Sequence, residues 1–157
     1  MILDTLAEAA KKRTELAKEK IPLAEMKELA KSRQTNSDFA FENALKKDEL
    51  AFICEVKKAS PSKNVIAENF PYTDIAVEYQ SAGADCLSVL TEPTKFLGSN
   101  AYLTEISKCV NIPIIRKDFT VDEYMIYEAK AIGASAVLLI CALLDTETLK
   151  RYIEICD

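Results

Sequence analysis

Two segments that have the pattern of buried strands carry charged residues near their carboxyl ends. Segment 52–57 reads Phe-Ile-Cys-Glu-Val-Lys, and strand alternation places Glu55 and Lys57 on one face near its carboxyl end. Segment 114–119 reads Ile-Ile-Arg-Lys-Asp-Phe and carries Lys117 near its own carboxyl end. Ammonium and carboxylate groups are costly to desolvate unless they are paired or take part in chemistry. The pattern therefore indicates either a self-satisfied Glu–Lys pair at a solvated rim or a site for acid–base chemistry.

A basic, hydroxyl-rich segment follows the first of these strands. Residues 57–66 read Lys-Lys-Ala-Ser-Pro-Ser-Lys-Asn-Val-Ile, with lysines and serines on both sides of Pro61. Hydroxyl and ammonium groups in a Pro-containing turn suit a phosphate or a carboxylate. Taken alone, a basic Ser-Pro segment is more typical of a solvated surface loop, so the residues leave both interpretations open.

The sequence contains no histidine, and this excludes several classes of site. A His-based catalytic triad, a His general base and a His-ligated metal are all ruled out. Acid–base chemistry must fall to Lys, Glu, Asp, Tyr or Cys. The 5 cysteines are scattered without a CxxC spacing, and we expect them to be buried, reduced thiols in a reducing compartment.

Charge and hydropathy restrict the partners of the chain. Its 20 Lys and Arg residues are mixed with 25 Asp and Glu residues, and the net charge of −5 argues against an electrostatic hold on nucleic acid. The amino terminus leads into a charged helix rather than an apolar signal segment. The longest apolar run, 134–144, is shorter than the roughly 20 residues of a membrane span. We therefore expect a cytoplasmic protein without nucleic-acid or membrane partners.

The hydrophobic periodicity changes near residue 49. Residues 1–48 follow a helical period, which predicts an N-terminal helical extension with a helix starting at Pro22 and a third helix over 39–46. Residues 49–157 alternate strand and helix. The predicted strands are 50–57, 86–90, 112–116 and 136–141. Four helices are predicted between and after these strands. The first is capped by Thr73 and ends at Gly83, and the second is capped by Ser99. The third begins at a capping box over 120–123 and ends at Gly133, and the fourth is capped by Asp145.

This alternation indicates an α/β fold with a parallel sheet covered by helices. Successive βα units build either a closed barrel or an open doubly wound sheet, and the periodicity is compatible with both. We expect one domain, in which residues 1–48 are the helical extension and residues 49–157 are four βα units.

Four motifs stand near the predicted strand ends. They are Glu55-Val56-Lys57-Lys58-Ala59-Ser60-Pro61-Ser62-Lys63, then Leu87-Ser88-Val89-Leu90-Thr91-Glu92 with Phe96, Gly98 and Ser99, then Pro113-Ile114-Ile115-Arg116-Lys117-Asp118-Phe119, and finally Ala136-Val137-Leu138-Leu139-Ile140. In this order and spacing they resemble the indole-3-glycerol phosphate synthase family, over essentially the whole chain. The resemblance implies a (β/α)8 TIM barrel, of which this chain carries strands 1–4 with their helices, as a half-barrel or in a rearranged or swapped arrangement.

The resemblance also implies a reaction. The family is a carbon–carbon lyase of tryptophan biosynthesis that acts on 1-(2-carboxyphenylamino)-1-deoxyribulose 5-phosphate. It closes the ring and loses CO2 and water to give indole-3-glycerol phosphate, with no cofactor and no metal. The implied partner is therefore a small anionic phosphate ester.

By the same resemblance, individual residues have roles. Lys117 is the general acid on the substrate ketone, and Lys57 holds the substrate carboxylate and helps to expel it. Glu55 orients the lysines and stabilises positive charge on the anilino nitrogen. The division of roles among these three residues stays open. The implied substrate-binding residues are Ser60 for the phosphate and Phe96, Phe119 and Leu138 as walls around the aromatic ring.

Two features depart from the family pattern. Asn64 stands where the family usually has glycine, and because Asn tolerates a left-handed backbone we expect the loop shape to be kept. The 157 residues fall short of the about 250 of such a barrel. We therefore expect that the chain lacks part of the active site, has negligible activity alone, and self-associates through open sheet edges.

Two alternatives stand beside this interpretation. Phosphoribosylanthranilate isomerase is a phosphate-handling barrel of the same architecture, but its strand-one pattern is not found here and it does not need the long N-terminal extension. The other alternative is a non-catalytic half-barrel fragment that acts as a folding or assembly module. Turnover tests with both substrates distinguish these possibilities.

Overall fold

Four parallel strands form the central sheet, and their order in the sheet is their order in the sequence. The structure is a computed structural model that describes residues 2–33 and 39–157. The helices are α1 (Ile2–Lys20), α2 (Leu23–Ser32), α3 (Ala40–Leu45), α4 (Tyr72–Ser81), α5 (Asn100–Cys109), α6 (Glu123–Ile132) and α7 (Thr146–Cys156). The strands are β1 (Ile53–Val56), β4 (Cys86–Leu90), β5 (Ile114–Lys117) and β6 (Ala136–Val137), with β2 (Ala59–Ser60) and β3 (Asn64–Val65) as a separate hairpin. Within the described ranges, no helix is long and apolar enough to cross a membrane.

The pairing of the strands aligns several side chains on one face of the sheet. Glu55 lies beside Ser88, and Ser88 lies beside Ile115. Two residues further along, Leu90 lies beside Lys117. Because side chains alternate along a strand, all of these point to the same face. The sequential order of the strands, with a helix in each crossover, confirms the predicted α/β fold and corresponds to half of an eight-stranded barrel.

The opposite face of the sheet packs against the helices and forms the apolar core. Strand β4 is buried along its whole length because it lies between β1 and β5. Burying apolar surface of this kind stabilises the fold by about 25 cal/mol per Å². The main buried residues of this core are Val56, Ala76, Leu87, Val89, Leu103, Ile106, Ile114 and Ala129.

Several predicted boundaries are confirmed. The second predicted strand, 86–90, is β4 as predicted. Ser99 and Asp145 cap α5 and α7 by accepting hydrogen bonds from backbone N–H groups of the first turn. Gly133 ends α6 in a left-handed conformation with a φ of 108°. Asn64 has a φ of 54°, as predicted for the position where the family usually has glycine.

Two predicted helix caps are wrong. Thr73 does not cap α4, because the helix begins one residue earlier, at Tyr72. The capping box over 120–123 is not formed, because Asp122 accepts the hydrogen bond from the N–H of Tyr124 and starts the helix two residues later than Thr120 would. Met1 and residues 34–38, which the helical prediction for the extension includes, lie outside the described residues.

The predicted outer strands are too long. Prediction gave 50–57 and 136–141, whereas β1 spans Ile53–Val56 and β6 spans Ala136–Val137. Each of these strands pairs with one neighbour within the described part of the chain, so fewer residues are held in a ladder. The third strand, β5, begins two residues later than predicted and includes Lys117.

The prediction that the cysteines are buried is wrong for three of them. Cys86 is buried and Cys54 is half-buried, but Cys109, Cys141 and Cys156 are exposed. All five are free thiols. Apolar sequence neighbours indicated burial, but helix and loop positions turn the three exposed side chains outward.

The N-terminal helices pack on the segment that follows β5. The buried residues of α1 are Leu6, Ala7, Ala10 and Thr14. Lys18 forms an ion pair of 2.7 Å with Asp122, and the Tyr124 hydroxyl donates to the carbonyl of Ala17 at 3.4 Å. The extension therefore lies against the loop at the carboxyl end of β5.

Arg116 is a charged residue on the helix-facing side of β5. Its side chain is 2% exposed and forms ion pairs of 2.8 Å with Glu128 and 3.6 Å with Asp118. The guanidinium also donates to Thr91 Oγ1 at 3.1 Å, the Met125 carbonyl at 3.1 Å and Asn100 Oδ1 at 3.0 Å. Every side of the guanidinium is thus satisfied, which is the condition for keeping a charge in a core.

We predict that Arg116→Met destabilises the fold by about 3–5 kcal/mol, because it removes a buried cation that Asp118 and Glu128 share and leaves Thr91, Asn100 and the Met125 carbonyl without their donor. Urea unfolding followed by circular dichroism measures the change. The control is Lys11→Met, which removes an exposed pair with Glu8 and should leave the urea midpoint unchanged. Equal midpoints for the two variants would contradict the prediction.

Candidate active site

Glu55, Lys57 and Lys117 lie together at the carboxyl edge of the central sheet. Glu55 is the third of the four residues of β1, Lys57 directly follows that strand, and Lys117 is the last residue of β5. Parallel strands end at the same edge of a sheet, and only β4 separates β1 from β5. The fold thus brings together three residues that are up to 62 positions apart.

The Glu55 carboxylate lies between two ammonium groups. Lys57 Nζ donates to Oε1 at 2.6 Å, and Lys117 Nζ donates to Oε2 at 3.4 Å. The Ser88 hydroxyl also donates to Oε2, at 3.2 Å. The exposed fractions of the side chains are 30% for Glu55, 32% for Lys57 and 37% for Lys117. The three groups are therefore partly desolvated but accessible to a ligand.

The two lysines determine the protonation state of Glu55. Burial raises the pKa of the Glu55 carboxyl, since the anion loses water. The hydrogen bond from Lys57 and the charge of Lys117 act in the opposite direction and outweigh burial. The net pKa of Glu55 is lowered, so this carboxylate is ionised at neutral pH and two cations share it.

The basic segment after β1 folds into a short hairpin. Strands β2 and β3 pair Ala59 with Val65 and Ser60 with Asn64. Ser60 Oγ accepts a hydrogen bond from the N–H of Lys63 at 3.2 Å. The hairpin starts three residues after β1 ends, so it lies on the same rim as Glu55. Ser62 and Lys63 are exposed on its turn and Ser60 is half-buried, so hydroxyl and ammonium groups that can bind an anion lie close together.

Two aromatic rings lie near the ends of β4 and β5. The ring centroids of Phe96 and Phe119 are 6.4 Å apart, at an interplanar angle of 43°. Leu138 directly follows β6, which is the next strand of the sheet, and is half-buried. The three residues assigned to the walls therefore follow three neighbouring strands at one edge.

A buried carboxylate shapes the loop that carries Phe96. Glu92 is 1% exposed and accepts hydrogen bonds from the N–H groups of Thr94, Lys95 and Phe96 at 2.8, 2.7 and 3.0 Å. Burial raises the pKa of Glu92, but these hydrogen bonds outweigh it and hold the pKa below its usual value. A Cβ at Gly98 would lie 2.4 Å from the Leu90 carbonyl oxygen, so this position requires glycine.

Four charged residues around the site had no role predicted from the sequence. These residues are Arg13, Glu92, Arg116 and Asp118. Arg116 gave a signal that could have been used, because strand alternation puts this cation on the helix-facing side where an apolar residue is expected. Arg13 gave no local signal, because its partner Asp118 is 105 residues away in the sequence.

The arrangement suits proton transfer to a bound anion. Two ammonium groups can bind carboxylates and donate protons, while a carboxylate between them stabilises positive charge. Within residues 2–33 and 39–157, no three Cys, Asp or Glu side chains are grouped so that they could hold a metal ion. Lysine and glutamate side chains supply the charged groups at this rim.

Comparison with known proteins identifies the relatives of this chain. A family model described as indole-3-glycerol phosphate synthase matches residues 3–156. Proteins named indole-3-glycerol phosphate synthase from Ruminiclostridium cellulolyticum and Endomicrobium trichonymphae are 58% identical over 157 residues and 50% identical over 154 residues. These matches cover 100% and 98% of this chain but 60% of each relative. The chain thus spans about three fifths of the length of the relatives it matches.

We predict that Glu55→Gln destabilises the chain in a pH-dependent way. A carboxyl with a lowered pKa stabilises the folded state above its ordinary value of 4.5, and this contribution is lost as the pH falls through the folded pKa. The stability difference between wild type and Glu55→Gln should therefore be largest near neutral pH and shrink as the pH falls below 4.5. Urea unfolding over a series of pH values measures it.

The matched control for this prediction is Glu147→Gln. Glu147 is 86% exposed and forms only a surface pair of 3.3 Å with Lys150, three residues along α7. We expect its replacement to change stability little at any pH. If the stability difference between wild type and Glu55→Gln stays constant from neutral to acidic pH, the assignment of Glu55 as the shared anion is wrong.

Proposed function

This chain belongs to the indole-3-glycerol phosphate synthase family, and we propose that Glu55, Lys57 and Lys117 form the catalytic part of that active site. The proposed substrate is 1-(2-carboxyphenylamino)-1-deoxyribulose 5-phosphate. The proposed reaction is ring closure followed by loss of CO2 and water. The sharing of the Glu55 carboxylate by two ammonium groups at the carboxyl edge of the sheet is the observation that carries the proposal.

The charge of the site supports an anionic substrate. Two ammonium groups and one carboxylate leave a net positive charge at the rim, and the hairpin after β1 adds further lysines. The substrate carries a carboxylate and a phosphate. In a partly desolvated site such opposite charges attract more strongly than they do in water. The rim is therefore suited to hold the substrate by both anionic ends.

In the first step, Lys117 acts as the general acid. The ring carbon that bears the carboxylate attacks the ketone carbon, and a carbon–carbon bond forms between them. The electron pair of the carbonyl bond moves to the ketone oxygen, which takes a proton from Lys117 Nζ. Contact with the Glu55 carboxylate, at 3.4 Å, holds this ammonium group on the inward face of the rim.

In the later steps, Lys57 and Glu55 assist the loss of CO2 and the loss of water. Lys57 holds the substrate carboxylate until CO2 leaves and its bonding electron pair returns to the ring. The new hydroxyl group then leaves as water with a proton from Lys57. The neighbouring CH2 group gives a proton to the neutral amine that the first step left on Lys117, and the electron pair of that C–H bond forms the double bond of indole. Glu55 stabilises the positive charge that develops on the anilino nitrogen.

The proposed binding residues surround these groups. Ser60 helps to place the phosphate, and its position in the hairpin after β1 supports this role. Phe96, Phe119 and Leu138 form walls around the aromatic ring of the substrate. The spacing of the two phenyl rings and their location after neighbouring strands support this assignment.

We predict that Lys117→Met lowers turnover by about 10²–10⁴-fold, because the general acid is lost. The test uses a fusion of this chain to the part of the Ruminiclostridium cellulolyticum relative that lies outside the match. Formation of indole-3-glycerol phosphate is followed by its fluorescence. The 157-residue chain alone should give negligible turnover, since groups that act as a unit are lost together.

The control for the kinetic test is Lys108→Met. Lys108 is an exposed lysine on α5, and its replacement should leave turnover of the fusion unchanged. An inactive unmodified fusion, or a Lys117→Met fusion that keeps most of its turnover, would overturn the proposed function.

We further propose that the chain alone self-associates with a second copy through its sheet edges. Within the described residues, β1 and β6 each pair on one side only. Leu50, Phe52 and Ile53 at the β1 edge are 80%, 57% and 48% exposed. An open apolar edge presents unpaired backbone groups that a second strand can satisfy.

Ile53→Lys should shift the chain towards monomer in sedimentation velocity, because an edge lysine opposes strand pairing. Val77→Lys is the control: Val77 is 39% exposed on the helix α4 and is not part of the edge strand, so its replacement should leave association unchanged. A compact monomer of the unsubstituted chain at micromolar concentration would contradict the proposed association.

A further inference from the structure

We infer that Arg13 is a positioning residue for Lys117, acting through its ion pair with the buried Asp118 at the carboxyl end of β5. The N-terminal helix α1 thereby helps to fix the strand end that carries the proposed general acid. This inference rests on the proposed function of Lys117, but its structural part is testable without turnover.

Asp118 is fully buried and uses both carboxylate oxygens. Oδ1 accepts from Arg13 Nη2 at 2.7 Å and from the N–H of Phe119 at 2.8 Å. Oδ2 accepts from the Thr91 hydroxyl at 2.6 Å and lies 3.6 Å from Arg116 Nη2. The Asp118 side chain is 0% exposed, whereas that of Arg13 is 29% exposed. Arg13 is therefore the contact through which α1 reaches this interior carboxylate.

The charges of this cluster balance only when Arg13 is present. Arg116 is shared between Asp118 and Glu128, at 3.6 and 2.8 Å. Two arginines thus face two carboxylates, Asp118 and Glu128. Removing Arg13 leaves an excess negative charge beside a carboxylate that water does not reach. Moving Asp118 towards solvent relieves that charge, because water then takes the place of the lost guanidinium.

The same cluster also holds the backbone of Lys117. The N–H of Thr91 donates to the carbonyl of Lys117 at 3.1 Å, and the Thr91 hydroxyl donates to Asp118. Thr91 Oγ1 in turn accepts from Arg116 Nε at 3.1 Å. Lys117 lies between Arg116 and Asp118 in the sequence, so both of its neighbours are fixed by this network. A shift of Asp118 therefore moves Lys117 relative to Glu55.

A second ion pair on the same helix provides a matched comparison. Lys18 of α1 forms a pair of 2.7 Å with Asp122, as short as that of Arg13 with Asp118. The side chains of Lys18 and Asp122 are 28% and 26% exposed. Asp122 caps α6 and does not flank Lys117 in the sequence. Losing this pair removes another contact between α1 and the segment after β5 without leaving a carboxylate buried next to Lys117.

The test is competitive acetylation of the 157-residue chain with limiting acetic anhydride. Mass spectrometry gives the reactivity of Lys117 relative to that of the exposed Lys108. Arg13→Met should change this ratio by at least about threefold, because contacting residues couple. Lys18→Met should change it by less than about 1.5-fold, because a part-exposed pair contributes little. Division by the exposed Lys108 corrects for differences in reagent dose between samples. Circular dichroism of each variant shows whether it is folded, and the ratio is compared between folded variants.

Two further variants make the result decisive. Arg13→Lys keeps the charge and should stay closer to wild type than Arg13→Met. The double variant Arg13→Met/Asp118→Asn restores charge balance and should return the Lys117 ratio towards the starting value. If Arg13→Met does not fold, the ratio of Lys117 to Lys108 reactivity is measured in Arg13→Lys instead, and a smaller change of this ratio is expected. An unchanged ratio in the folded Arg13 variant, or an equal change in Lys18→Met, overturns the inference.

Kinetics of the fusion separate this inference from the proposed function. In an active fusion, Arg13→Met should lower kcat more than it raises KM, because it misplaces the acid rather than the binding groups. An inactive unmodified fusion defeats the proposed function while the labelling ratio still decides the role of Arg13. A kcat that stays at the wild-type value in the Arg13→Met fusion counts against the inference.

Discussion

The Glu55 carboxylate lies between the ammonium groups of Lys57 and Lys117, and the carboxyl edge of the sheet is arranged around that electrostatic compensation. Isolated charges on the inward face of a parallel strand would be strongly destabilising. One anion shared by two cations reduces the repulsion between the lysines and leaves a net positive charge at the rim. The charge compensation that allows these ionised side chains at the strand ends also makes the rim suited to an anionic ligand.

Three carboxylates at this edge lie in different environments. Glu92 is buried and satisfied mainly by backbone N–H groups, so it shapes the loop that carries Phe96. Asp118 is buried and satisfied mainly by side chains of other elements, so it ties α1, β4 and β5 together. Glu55 is partly exposed and bound to movable lysine side chains. Only Glu55 is placed to meet a ligand, whereas the two buried anions hold the backbone around it.

The N-terminal helix belongs to the same electrostatic arrangement. Arg13 and Lys18 lie five residues apart on α1 and contact acids that are four residues apart after β5. The helix is thereby fixed along the rim at two points, of which only Asp118 lies directly beside Lys117. The extension therefore supplies charge to the buried cluster around Asp118.

The sequence by itself determined the alternation of strand and helix, the strand 86–90, the caps at Ser99 and Asp145, and the pairing of Glu55 with Lys57 at a strand end. These features depend on local periodicity or on residues close together in the chain, so the printed sequence carries their signal. The short outer strands and the exposure of Cys109, Cys141 and Cys156 depended on which neighbours each segment meets in space. Only the tertiary structure decided that Arg13 pairs with Asp118, because a contact across 105 residues arises from chain topology and the need to neutralise a buried charge, and no local pattern records it.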